Sequence, residues 1–90
     1  MLALTPENAE ARAKLALSLY HLKQFDGAQM EVQNALSTKP DLPEGWNTLG
    51  LIFLEKKQNG DAANAFEKAI SLKPDYTEAR ENLARIKEHL

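Results

Sequence analysis

Displaced by 34 residues, the sequence falls back on itself. Ala28 lands on Ala62, Ala35 on Ala69 and Ser37 on Ser71, while Lys39-Pro40-Asp41 lands on Lys73-Pro74-Asp75. Some positions return twice: Leu15-Ala16, Leu49-Gly50 and Leu83-Ala84 share one frame, as do Glu10, Glu44 and Glu78. A unit of this length cannot bury its own apolar face. It must stack on its neighbours, and the product is an elongated array rather than a closed globule. Such an array offers a surface for holding a partner, not a catalytic cavity.

Within each period the apolar spacing is helical. Ala11, Leu15, Leu19 and Leu22 predict a helix from Glu7 to Leu22, and Ala28, Val32, Ala35 and Leu36 predict a second from Phe25 to Thr38. Pro40 ends that helix, because proline disfavours α geometry in the residue before it. Asp41-x-x-Glu44 has the form of a capping box with Pro43 in the first turn, which predicts a third helix from about Pro43 to Lys57. Asn59-Gly60 is a turn signal, and a fourth helix is expected from about Asp61 to Leu72. Pro74 stops it. Asp75-x-x-Glu78 is a second capping box and opens a last helix. No segment alternates long enough to predict a strand. The expected fold is all-α, with antiparallel helix-turn-helix units and one further helix.

Composition narrows the function. With 90 residues, 43% of them hydrophobic, the chain can build one small core. The net charge of −2 comes from interspersed acids and bases. No basic stripe exists to neutralise phosphates, so nucleic acid is not an expected ligand. No apolar run approaches the roughly 20 residues that span a bilayer. There is no cysteine, hence no disulfide, thiolate nucleophile or zinc ribbon. His21 and His89 stand alone in different helices, so no metal or cofactor is expected. No Ser/His/Asp set, phosphate loop or nucleophile elbow is present. Glu10, Glu44 and Glu78 recur in frame along one rim, where a carboxylate near a helix N-terminus favours the macrodipole. Glu10–Lys14 and Glu81–Arg85 are expected as surface pairs.

The second period carries Trp46-x2-Leu49-Gly50-x2-Phe53, then Ala62-x3-Phe66, Ala69 and Pro74. This resembles the tetratricopeptide repeat, whose signature has those residue types in that order. The first period is similar in Leu15, Ala28, Ala35 and Pro40, with Arg12, Ala16, Leu19 and Val32 at the other signature positions. The resemblance covers Ala9 to Tyr76, and the last helix matches the start of a third unit. It implies a right-handed α-solenoid in which helices A and B alternate. Residues 1–8 would be the tail of a preceding B helix and its linker, 9–42 and 43–76 two units, and 77–90 a C-terminal capping helix. Gly50 with Ala62, and Ala16 with Ala28, would let helices A and B approach closely, and Trp46 would fill core. Both A–B turns lack the family's usual glycine: Lys23 and Lys57 hold that place, with Asp26-Gly27 and Asn59-Gly60 expected to share the turning.

In this family the concave surface comes from the A helices. Carried over by frame, a partner-binding groove would be lined by Ala13, Leu17, Tyr20 and His21, by Asn47, Thr48, Leu51, Leu54 and Glu55, and by Asn82, Arg85 and His89. Leu17, Tyr20, Leu51 and Leu54 are apolar there without an obvious packing duty. Family members that hold acidic chaperone tails do so with a clamp of Lys, Asn, Asn, Lys and Arg. The matching positions here are Ala13, Leu17, Thr48, Glu78 and Asn82, so no such tail is expected to bind. The resemblance implies a non-catalytic module that binds another protein, as a peptide or helix segment. Self-assembly within a larger array, or service as a regulatory appendage of an upstream enzyme domain, are the alternatives. The sequence leaves the compartment open, with a soluble cytoplasmic protein as the default.

Overall fold

The computed structural model describes residues 8–88, and among these it contains five α-helices and no strand. They are α1 (Ala9–His21), α2 (Phe25–Thr38), α3 (Pro43–Glu55), α4 (Asn59–Leu72) and α5 (Thr77–Glu88). Consecutive helices pack on each other, and α3 also touches α1 and α5. The odd-numbered helices therefore form one side of an elongated body measuring 48 × 27 × 17 Å, and α2 and α4 form the other. This is the all-α helical repeat that the periodicity demands. The expected roles of residues 1–7, His89 and Leu90 lie outside the described residues.

Prolines set the breaks between the helix pairs. Lys39 and Lys73, each preceding a proline, leave the α region at φ −137° and −141°, as the clash with the proline ring favours. Pro43 occupies the first turn of α3, where its missing N–H costs nothing. The two capping boxes do not form. Leu42, not Asp41, is the N-cap of α3, and no side chain caps it. Thr77 begins α5, which leaves Asp75 one residue too early. At α1 a side-chain cap does form, with Asn8 Oδ1 accepting from the Ala11 amide at 3.2 Å.

Within each pair, the reversal is completed in three residues. Lys23 and Lys57 both take φ 65°, and no glycine among the described residues has positive φ. The Gln24 amide bonds the Leu19 carbonyl at 2.8 Å and the Gln58 amide bonds the Phe53 carbonyl at 2.8 Å. These bonds close a Schellman turn around each lysine. The lysines thus do all the turning. Asp26-Gly27 lies inside the first turn of α2, and Asn59-Gly60 starts α4 instead of preceding it.

Two apolar clusters run through the body. The first joins α1 and α2 to α3 through residues that include Ala16, Val32, Leu36, Leu49 and Ile52. The second joins α4 to α5 through Ala62, Phe66, Ala69, Ala79 and Ile86, and Trp46 and Phe53 pack against both clusters. Gly50 is required by close approach: a Cβ there would lie 2.5 Å from Cε1 of Phe66. Gly45 plays the same part between the pairs, with its Cβ position 3.0 Å from Cδ2 of Leu36. Trp46 is half-buried as a packing residue, and its Nε1 donates to the Pro40 carbonyl at 2.7 Å. One period later Arg80 makes the equivalent bond, from Nε to the Pro74 carbonyl at 2.6 Å. Leu15 departs from its signature role: it is 47% exposed, whereas Leu49, one period later, is buried in the cluster shared with α1 and α2.

Candidate partner-binding groove

A groove of about 490 Å³ runs along the side formed by the odd-numbered helices. α1 contributes Leu17 and His21, α3 contributes Glu44, Asn47, Thr48 and Leu51, and α5 contributes Glu78, Glu81, Asn82 and Arg85, with Tyr76 just ahead of it. Neither α2 nor α4 lines it. The lining side chains are held by three packed helices, not by loops, so their spacing is fixed by the same core that holds the fold.

Polar groups on the groove floor are tied together. Asn82 Nδ2 donates to Asn47 Oδ1 at 3.2 Å in a buried bond, and Tyr76 lines the groove beside them. Burial pushes the Tyr76 phenol up to about 12, helped by the charges of Glu44 and Glu78 and partly offset by Asn47. Both carboxylates therefore bear on one phenol, and Tyr76 stays neutral at physiological pH. At the α1 end, Tyr20 Oη donates to Glu55 Oε2 at 3.5 Å. Burial, and then Glu55, raise the Tyr20 ionisation as well. These two residues sit in a smaller depression of about 200 Å³ with Lys23 and Phe25, and His21 borders both this depression and the groove.

The structure thus brings Leu17, His21, Asn47, Thr48, Leu51, Asn82 and Arg85 together, with Tyr20 and Glu55 at one end. Ala13 is not among them; it is buried in the first cluster. Leu54 is spent on the second cluster, and Leu51 and Tyr20 also pack on core while reaching the surface. The idea that these residues have no packing duty is therefore corrected, and of that set only Leu17 is more than a third exposed. His89 lies outside the described residues. The sequence placed Glu44 and Glu78 on one rim, and both line the groove, whereas it left Tyr76 and Glu81 out of it. The recurrence of Glu44 and Glu78 was a usable signal. Tyr76 also had one, since it replaces Leu42, which is buried one period earlier.

Glu10, the third member of that frame, behaves differently. It pairs with Lys39 at 2.6 Å, not with Lys14 as an i,i+4 contact. A larger cleft of about 710 Å³ opens on the opposite side, between α2 and α4 over Trp46, Leu49 and Phe53. Its floor is made of packing residues, the Trp46 indole is already bonded, and Asp61 and Lys68 on its rim balance in charge. Among the described residues no group of three or more histidine, cysteine or acidic side chains is placed to hold a metal ion. No described helix is long and apolar enough to cross a membrane.

The sequence profile of the tetratricopeptide repeat matches residues 43–76, the segment that forms α3, α4 and the loop after them. Residues 43–76 are a tetratricopeptide repeat. Solved structures share the whole architecture. MamA superposes with a TM-score of 0.88 at 24% identity, covering 96% of this chain and 50% of that one. The first tetratricopeptide-repeat domain of Spaghetti (RPAP3), bound to the HSP90 peptide SRMEEVD, superposes with a TM-score of 0.88 at 20% identity, covering 93% and 67%. At such identities the likeness is one of fold. The chain spans half the length of the MamA chain. No curated protein matches it significantly.

Proposed function

We propose that the chain is a non-catalytic interaction module that holds a peptide or helix segment of another protein in the groove between α1, α3 and α5. The observation that carries this reading is the make-up of the groove. Apolar Leu17 and Leu51 lie beside Asn47, Thr48 and Asn82 on three helices whose relative positions the core fixes. A preorganised surface of this kind saves the ordering cost that a flexible site incurs on binding. The RPAP3 domain, of the same fold, was bound to a peptide. α5 completes the reading as a closing helix: Ala79 and Ile86 dock on α4 while Arg80 and Lys87 stay in water. The test is affinity capture from lysate of the source cells by wild type and by a Leu17→Glu/Leu51→Glu variant of matched helicity. A protein retained by wild type and lost by the variant supports the groove. Equal retention by both overturns it.

A second reading, self-association, has its own observation. Leu15 on α1 and Leu22 at its C-cap are 47% and 66% exposed. One period later Leu49, in the frame of Leu15, is buried against the preceding helix pair. The open face is therefore shaped for another helix pair. Sedimentation equilibrium from micromolar to millimolar concentration, with Leu15→Lys as control, tests it. A mass that stays monomeric throughout rejects it.

A further inference from the structure

We propose that the segment held in the groove is cationic, presenting a lysine or arginine beside an apolar side chain. This rests on the groove being the binding surface, as argued above. The groove is lined by three carboxylates, Glu44, Glu78 and Glu81, against one guanidinium, Arg85. Among the described residues the ion pairs are Arg12–Glu31, Lys39–Glu10 and Lys56–Asp26, and none of the groove carboxylates takes part in one.

The repeat itself shows why Glu44 is left over. Glu10 and Glu44 occupy the same frame position, and Glu10 is neutralised by Lys39 at 2.6 Å. The residue in the frame of Lys39 is Lys73. Its Nζ sits instead over the Tyr76 ring, 5.1 Å from the centroid, a cation–π placement. Tyr76 stands where the first period has Leu42, which offers no such ring. The substitution draws the lysine away and leaves the Glu44 carboxylate lining the groove together with Glu78. Their charges converge on Tyr76. A basic side chain laid along this wall gains the partner that Lys73 does not supply, and its apolar neighbour is received by Leu17 and Leu51. Opposed potentials of this sort set the choice of partner and the rate of encounter.

The experiment is selection from a random nonapeptide display library on immobilised wild-type chain, followed by fluorescence polarisation of synthesised winners. Affinities are compared with those of Glu44→Gln/Glu78→Gln/Glu81→Gln, whose near-isosteric changes lie at exposed positions, and of Leu17→Glu. The expected result is enrichment of Lys or Arg next to an apolar residue. Affinity should fall about tenfold in the triple variant, the loss of up to three exposed charge contacts, and should weaken with added salt. Winners that are neutral or acidic yet lost on Leu17→Glu leave the groove standing as a binding surface and overturn the cationic partner. No enrichment, or winners indifferent to both variants, overturns the groove reading and this inference with it.

Discussion

At the scale of single residues, the two helix pairs solve one contact in two ways. Phe66 sits directly on Gly50, whereas the frame equivalents Val32 and Ala16 are both fully buried in the first pair. The methyl gained at position 16 is matched by the ring lost at position 32. Gly50→Ala alone is expected to destabilise by about 1–3 kcal/mol through overpacking, and Phe66→Val alone by roughly 2 kcal/mol through the cavity it leaves. The double variant should cost less than the two singles together by about 1 kcal/mol or more. Urea denaturation of the four proteins measures it, and simple additivity would refute the compensation. Lys57 makes the opposite kind of case. Its φ of 65° carries a penalty of about 1–2 kcal/mol that glycine escapes, offset in part by the backbone freedom that glycine loses on folding. Lys57→Gly should stabilise by about 0.5–1 kcal/mol, seen as a melting temperature a few degrees higher. A lower melting temperature would show that the lysine is not strained there. The register of Lys23 and Lys57 was legible in the sequence. What their backbones do was hidden by the glycines nearby, which could have turned the chain equally well.

At the scale of elements, helices were legible and their starts were not. Apolar spacing and proline placed all five. Yet Asp41 and Asp75 lie before helices that begin elsewhere, because the backbone between each proline and the next helix must first seat Leu42 or Tyr76. Side chains then join helices that spacing alone would not connect. Lys56, at the end of α3, reaches Asp26 Oδ1 at 2.7 Å and Gln29 Oε1 at 2.6 Å on α2, and Lys39 reaches Glu10 on α1. Hydrogen bonds from these lysines hold the Asp26 and Glu10 carboxyls below their ordinary values of 3.8 and 4.5. A depressed folded-state value means that the contribution is present above those values and is lost as pH falls through and below them. A Glu10→Gln/Asp26→Asn variant should therefore lose less melting temperature than wild type between about pH 5 and pH 3, while melting slightly lower at pH 7. Parallel curves across that range would remove both pairs from the account.

At the scale of the whole molecule, the groove and the cleft behind it are consequences of stacking. The RPAP3 domain, of the same fold, was bound to SRMEEVD, a peptide with acidic residues near its end. Here Leu17, Thr48, Glu78 and Asn82 face the groove, with a carboxylate where an acidic tail would need a cation. Titrating fluorescein-labelled SRMEEVD with the chain is expected to give no saturable polarisation change up to high micromolar protein. Tight binding would contradict the charge reading and the cationic partner together.

The sequence by itself determined the helical period and the proline breaks, which follow from local geometry, and the repeat frame, which strings of residues display directly. The small residues at helix crossings, and the helices that line the groove, came from its resemblance to the tetratricopeptide repeat. Only the tertiary structure decided that Ala13 and Leu54 are spent on core, that Tyr76 enters the groove, and that Lys73 leaves Glu44 unpaired while Lys39 neutralises Glu10. Those outcomes turn on which of two nearby partners a long side chain reaches. That choice is made by distances between helices that no position in the chain encodes alone.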